Sequence, residues 1–138
     1  MSHLLDTNAC IALMRGQPVA VRDRFQREAA AGKSIHVPTV AAFELWYGVA
    51  KSRHRDDNEQ RLAYLFGGLV QMLPFEESDA RAAGEIRAAL ETTGRPIGAY
   101  DTLIAGQALA RDLILVTANH REFGRIKDLR WEDWGRDP

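Results

Sequence analysis

The chain is 138 residues long, 46% hydrophobic and of formal net charge -1, enough apolar material for one core and for a single domain over residues 1–138. Near-neutral charge excludes a globally basic nucleic-acid binder while leaving room for local basic patches, of which Lys51-Ser52-Arg53-His54-Arg55 and the set Arg111, Arg121, Arg125, Lys127 and Arg130 are the two in view. The lack of a long apolar run and of a basic, apolar leader excludes a membrane helix and a signal peptide. A cytoplasmic protein is expected, with the single cysteine, Cys10, a small core residue on an early helix.

Leu4-Leu5 followed by Asp6-Thr7-Asn8 reads as a short strand ending in helix-capping chemistry, with a helix through Ile11 to Arg15 that stops at Gly16. Beyond Pro18, the four-residue recurrence of Val21, Phe25 and Ala29 predicts a second helix ended by Gly32. Ser34 to Val37 is a second strand. Pro38-Thr39 opens a third helix whose body, Val40 to Ala50, is apolar on nearly every face apart from Glu44 and is expected to be substantially buried. After the polar run Asp56 to Gln60, the spacing of Leu62, Leu65, Phe66 and Leu69 predicts an amphipathic helix. Val70 to Leu73 is a third strand, ended by Pro74. Ala83, Ile86 and Leu90 mark a helix stopped by Gly94 and Pro96, and a loop through Gly98 leads into a helix carrying Asp101, Leu103, Ile104 and Ala108. Leu113 to Val116 is the clearest strand, Leu129 to Trp131 a last edge strand, and Arg136-Asp137-Pro138 a fraying end.

Strands alternate with helices from end to end, which predicts an α/β fold with a parallel sheet covered on both faces. Ligands of such sheets bind beyond the carboxyl ends of the strands, where Asp6 and the segment Thr117-Ala118-Asn119 both fall. Asp6, Glu44 and Asp101 are isolated carboxylates in apolar surroundings. Burying each alone is costly, and a divalent cation compensates all of them together. Mg2+ or Mn2+ takes oxygen ligands, keeps several waters, activates water and neutralises a phosphodiester, so the trio points to a metal-dependent nuclease. Each acid also has a plainer reading: Asp6 as a helix cap, Asp101 as a first-turn helix acid, Glu44 as a surface residue.

Four blocks, Leu4 to Asn8, Phe43 to Gly48, Arg95 to Ala105 and Val116 to Phe123, in this order and with the closing Leu129 to Trp134, resemble a PIN domain of the VapC toxin type over essentially the whole chain. The resemblance implies a three-layer α/β/α fold with a mostly parallel central sheet. It also implies an Mg2+- or Mn2+-dependent endoribonuclease, the toxin half of a type II toxin-antitoxin pair, cutting transfer RNA or ribosomal RNA at a single-stranded loop. Asp6, Glu44 and Asp101 match the family's principal acids. Asn119 stands where a fourth acid often follows Thr117, and Glu122 is the carboxylate close to it. Further implications are a homodimer, a VapB-like antitoxin whose C-terminal segment lies in a groove, and contact with operator DNA only through that antitoxin. Trp46, Tyr47 and Phe66 are candidates for the groove or, alternatively, core residues. Thr7 and Thr117 position water or phosphate, or else satisfy backbone groups.

Three other readings compete. A histidine-dependent ribonuclease needs two cooperating histidines, and His3, His36, His54 and His120 show no pairing in sequence. An aspartyl-phosphate phosphatase needs a second aspartate where Asn8 stands. A non-catalytic PIN-fold module, acting through an antitoxin and operator DNA, keeps the fold without the chemistry.

Overall fold

A computed structural model describes residues 2–136. Its sheet comprises β1 (His3–Leu5), β2 (Ile35–Pro38), β3 (Val70–Leu73), β4 (Ile114–Val116) and β5 (Trp131–Glu132), all parallel, in the order β3-β2-β1-β4-β5. Leu4 lies opposite both His36 and Leu115, so β1 is central. Successive strand residues face opposite sides, yet His3, Leu4 and Leu5 are all buried, which requires helices on both faces. The α/β/α expectation holds, with every strand pairing parallel.

The helices are α1 (Thr7–Arg15), α2 (Val19–Ala30), α3 (Thr39–Ala50), α4 (Arg55–Phe66), α5 (Glu77–Thr92), α6 (Ala99–Ala110) and the short α7 (His120–Phe123). α1 begins four residues earlier than its apolar spacing indicates, because Asp6 caps it directly at the end of β1. It ends at Gly16, whose φ of 69° is the left-handed conformation glycine adopts without strain. Cys10 is buried on α1. The polar run Asp56 to Gln60 belongs to α4 rather than preceding it, and α4 stops at Phe66, leaving Leu69 outside it and exposed. Strand β5 begins two residues later and ends one residue later than its apolar letters indicate, and its Glu132 carboxylate collects His3 Nε2 at 3.3 Å, an Arg24 guanidinium nitrogen at 3.3 Å and Trp134 Nε1 at 3.0 Å. Burial pushes His3 below the usual imidazole range despite the attraction of Glu132, so it docks as a neutral ring. Of the expected fraying end, Arg136 is paired with Asp133, while Asp137 and Pro138 lie outside the described residues.

The expectation of a substantially buried α3 is corrected. Ala41, Ala42, Leu45 and Val49 face the core, whereas Phe43, Trp46 and Tyr47 are exposed. The helix is apolar all round because one face meets the core and the other is an aromatic surface, and hydropathy alone does not separate the two. The plainer reading of Trp46 and Tyr47 as core residues therefore fails; Phe66 is half-buried and packs against the core.

Among the helices, α5 and α6 pack most extensively, and a Cβ at Gly106 would stand 2.6 Å from both Ala83 Cβ and the Ala83 backbone nitrogen. Only glycine permits that approach. Gly106→Ala is expected to lower stability by about 1 to 3 kcal/mol in urea unfolding, even though alanine is the better helix former by about 1 kcal/mol. An unchanged or raised midpoint would contradict this packing.

Candidate active site

The strand order changes direction between β1 and β4, and the acids gather beyond the carboxyl ends of these strands. Asp6 follows β1 and is only 4% exposed. Its carboxylate accepts the Ala9 backbone N–H at 2.7 Å and the Thr117 hydroxyl from the end of β4. The helix-cap reading and the site reading are thus both true of one residue, because capping needs only part of a carboxylate's accepting capacity.

Glu44 is half-buried on α3, which starts immediately after β2. The Thr7 hydroxyl donates to its Oε1 at 2.6 Å, linking α1 to α3. Asp101 lies in the first turn of α6, where the helix dipole favours a carboxylate, and its Oδ2 stands 3.5 Å from the place a Cβ on Gly98 would take. Beyond β4, the Thr117 hydroxyl accepts the Asn119 backbone N–H at 2.9 Å, and the Asn119 side-chain amide donates to Glu122 Oε2 at 3.0 Å. Thr7 and Thr117 therefore hold carboxylates in place. Sequence spacing marked these threonines but could not name their partners, which lie on other elements.

Burial, first, pushes the Asp6 carboxyl up to about 6; the neighbouring charges of Asp101 and Glu44 add to this, against the hydrogen bonds from Thr117 and Ala9. Asp101 is also raised, by burial and then by the charges of Glu122 and Glu44. Every charged group acting on these two carboxylates is another carboxylate. This mutual influence brings Asp6, Glu44, Asp101 and Glu122 into one electrostatic unit, and it leaves Asn119 as the residue that turns Glu122 rather than as a charge.

The donor set is all oxygen, and the charges that act on Asp6 and Asp101 among the described residues are carboxylates, which suits a hard divalent cation. Among the described residues, no group of three or more His, Cys, Asp or Glu side chains is arranged to hold an ion by itself. The three sequence-predicted acids thus do not close on a single point, and an ion there would need water to complete its shell. The histidines stand apart from this chemistry: His120 stacks on Trp131 at 5.5 Å and His36 Nδ1 is 3.2 Å from the His3 carbonyl. A cavity of about 660 Å3 lies elsewhere, between α1, α2 and α4, lined by Leu13, Met14, Phe25, Tyr64 and Leu65 with Arg22 and Arg61 among its walls. The acids form a ledge at the strand ends, and this separate cavity is lined mainly by apolar side chains.

A PIN domain family model matches residues 3–129. The chain is 40% identical over 136 residues to the tRNA(fMet)-specific endonuclease VapC of Shigella flexneri, covering 97% of this chain and 98% of that protein. It is 33% identical over 136 residues to ribonuclease VapC2 of Rickettsia felis, covering 99% and 100%. The crystal structure of VapBC2 from Rickettsia felis bound to a DNA fragment from their promoter contains a chain similar to this one, with a TM-score of 0.91, 32% identity, and 97% and 99% of the two chains covered. No helix among the described residues is long and apolar enough to cross a membrane.

The electrostatics separate function from stability. An aspartate whose folded-state pKa is raised from 3.8 to about 6 destabilises the fold when ionised, and the penalty is relieved as pH falls through 6 toward 3.8. Asparagine still accepts the Ala9 N–H without the charge. In EDTA at pH 7.5, Asp6→Asn is expected to stabilise the protein by about 2 kcal/mol, with the gain disappearing as the pH approaches 4. A variant less stable than the parent at pH 7.5 would contradict the crowding of charge.

Proposed function

Because this chain belongs to the PIN domain family and to its VapC ribonucleases, we propose that it is a divalent-metal-dependent endoribonuclease, the toxin of a VapBC-type pair, with Asp6, Glu44, Asp101 and the Asn119–Glu122 unit as its active site. The observation that carries this reading is the cluster of acids at the β1–β4 switch point, where burial first, and then the charges of neighbouring carboxylates, raise the pKa of Asp6 and Asp101.

Asp6, Asp101 and Glu44 would hold the cation, Mg2+ or Mn2+. When bound, such an ion neutralises charge on the scissile phosphate and makes water a better nucleophile near neutral pH. The protein's own part is orientation. Ala9 N–H and Thr117 fix one face of Asp6, leaving the rest of its accepting capacity free for the site. Thr7 restrains Glu44, and Asn119 keeps Glu122 turned toward the ledge; its charge already reaches Asp101. These restraints lower the reorganisation needed when substrate arrives. Attack of water on phosphorus with departure of the 3' oxygen leaves 5'-phosphate and 3'-hydroxyl ends. A splayed loop of transfer or ribosomal RNA presents its phosphates to such acids more readily than a closed duplex. Residues 1–138 act as one nuclease domain.

The partners follow from the remaining surfaces. A VapB-like antitoxin, which carries the contact with operator DNA, places an apolar segment in the cavity between α2 and α4, in the manner of a helix in a groove. A second copy of the chain covers the flatter aromatic face of Phe43, Tyr47 and Tyr100, where the Phe43 and Tyr100 rings meet edge-on at 5.5 Å. Tyr47→Asp is then expected to halve the mass measured by light scattering, and Tyr64→Asp to weaken antitoxin capture while leaving that mass alone. The reverse pattern would exchange the two assignments.

Purified, antitoxin-free protein should cut transfer or ribosomal RNA only after Mg2+ or Mn2+ is restored to an EDTA-treated sample. Asp6→Asn is expected to lower the rate by a factor on the order of 100 or more while keeping the fold. Glu122→Gln should lower it more than Asn119→Ala, whose effect is expected at about tenfold. Cutting that survives EDTA or Asp6→Asn would overturn the mechanism, and a folded protein that binds antitoxin but cuts no RNA would favour the non-catalytic module.

A further inference from the structure

Several arginines are tied to carboxylates. Arg111 forks onto Asp79 at 3.1 and 2.9 Å, Arg24 reaches Glu28 and Glu132, Arg87 meets Glu91, and Arg130 meets Asp112. Two members of the C-terminal basic set are thus engaged in structure. Arg95, Arg121 and Arg125 form no ion pair among the described residues.

Two of these meet in space on the loop before α6, and the third adjoins Glu122, whose charge reaches Asp101. Arg95 lies in the loop that leads into α6, the helix carrying Asp101, and Arg121 adjoins Glu122 on α7. Arg125 follows one turn after Arg121, and its terminal nitrogen reaches the Arg95 and Pro96 carbonyls at 3.4 and 3.3 Å. Its Nε is buried without a hydrogen-bond partner. Buried Phe123 anchors α7 to the core, so this arrangement is fixed rather than adventitious. None of the three is neutralised by a carboxylate in an ion pair among the described residues, and the guanidinium fork matches phosphate geometry, so an anion with several oxygens is a favourable neighbour for them.

We propose that Arg95, Arg121 and Arg125 form a substrate-positioning rim that grips the backbone phosphates of an RNA strand next to the bond to be cut. The proposal rests on the ribonuclease reading and adds to it the elements that bind the substrate. The other basic cluster is placed less well: Lys51 lies about 10 Å along the α3 axis beyond Glu44, its ammonium sits 4.7 Å over the Tyr47 ring, and Arg53 and Arg55 lie further along the chain.

The test uses the full chain in the Asp6→Asn background, so that the probe stays intact, and a fluorescent single-stranded RNA of about 12 nucleotides followed by anisotropy at several salt concentrations. Arg95→Gln and Arg121→Gln are each expected to weaken binding roughly fourfold at low salt and to reduce the slope of log affinity against log salt by about 0.7. Arg125→Lys, which keeps charge but not the fork, should weaken binding less and retain the slope. Arg53→Gln and Arg55→Gln should change neither quantity. In the Asp6 protein, with transfer RNA as substrate, the Arg95 and Arg121 variants should raise KM far more than they lower kcat. Unchanged affinity and slope for both variants, or an equal loss from Arg53→Gln, would overturn the rim while leaving a cutting enzyme intact. A parent protein that cuts no RNA would overturn the ribonuclease reading and the rim with it.

Discussion

The burial of carboxylates at the β1–β4 switch point, sharpened by one another's charge, is the constraint to which the rest of the structure answers. Asp6 is buried at the end of the central strand with its own pKa lifted, and Asp101, Glu44 and Glu122 contribute to the same unfavourable field. A fold selected for stability alone would place apolar or paired residues there. This one keeps the acids and restrains them with neutral donors: the Ala9 N–H, two threonine hydroxyls and one asparagine amide. Neutral donors fix position without cancelling charge, which leaves the field available to a cation.

That restraint needs a stiff frame, because the donors and the acids lie on different elements. Thr7 on α1 holds Glu44 on α3, and Thr117 after β4 holds Asp6 after β1. Parallel pairing of Leu5 with Val116 sets the second contact, and the close packing of α6 on α5 at Gly106 and Ala83 sets the position of Asp101. The ion pair between buried Asp79 and Arg111, together with Gln107 donating to the Leu73 and Pro74 carbonyls, ties the same helix pair to the end of β3. The one buried carboxylate of this helix pair, Asp79, is thus neutralised by Arg111, whereas Asp6 is held by neutral donors.

Much of this was legible in the sequence, for a physical reason. An ionisable residue inside an apolar stretch is expensive, so Asp6, Glu44 and Asp101 stand out before any fold is known. The alternation of short apolar runs with helical spacing likewise carried the parallel sheet. What failed was the meaning of α3: Phe43, Trp46 and Tyr47 carry the same hydropathy signal whether they face a core or an external surface. The hydrogen bond that joins Asn119 to Glu122 was not legible either, since spacing of three residues permits contact without requiring it. The pairing of the arginines was beyond reach altogether. Arg111 and Arg95 look alike in sequence, and only the fold sets one against Asp79 and the other beside an unpaired neighbour.

A net charge of -1 conceals a separation that bears on how binding and chemistry divide. An acidic ledge repels the RNA backbone, so the groups that would carry the reaction cannot also supply the affinity unless something neutralises them. Unpaired arginines at the margin attract the same backbone from outside the ledge. The two zones therefore act in sequence: the rim captures a strand whatever the state of the acids, and the acids accept a phosphate only once their charge is offset. Such an arrangement allows specificity to change by altering the rim and its neighbouring loop while the acids, their threonines and the strand ends beneath them stay fixed.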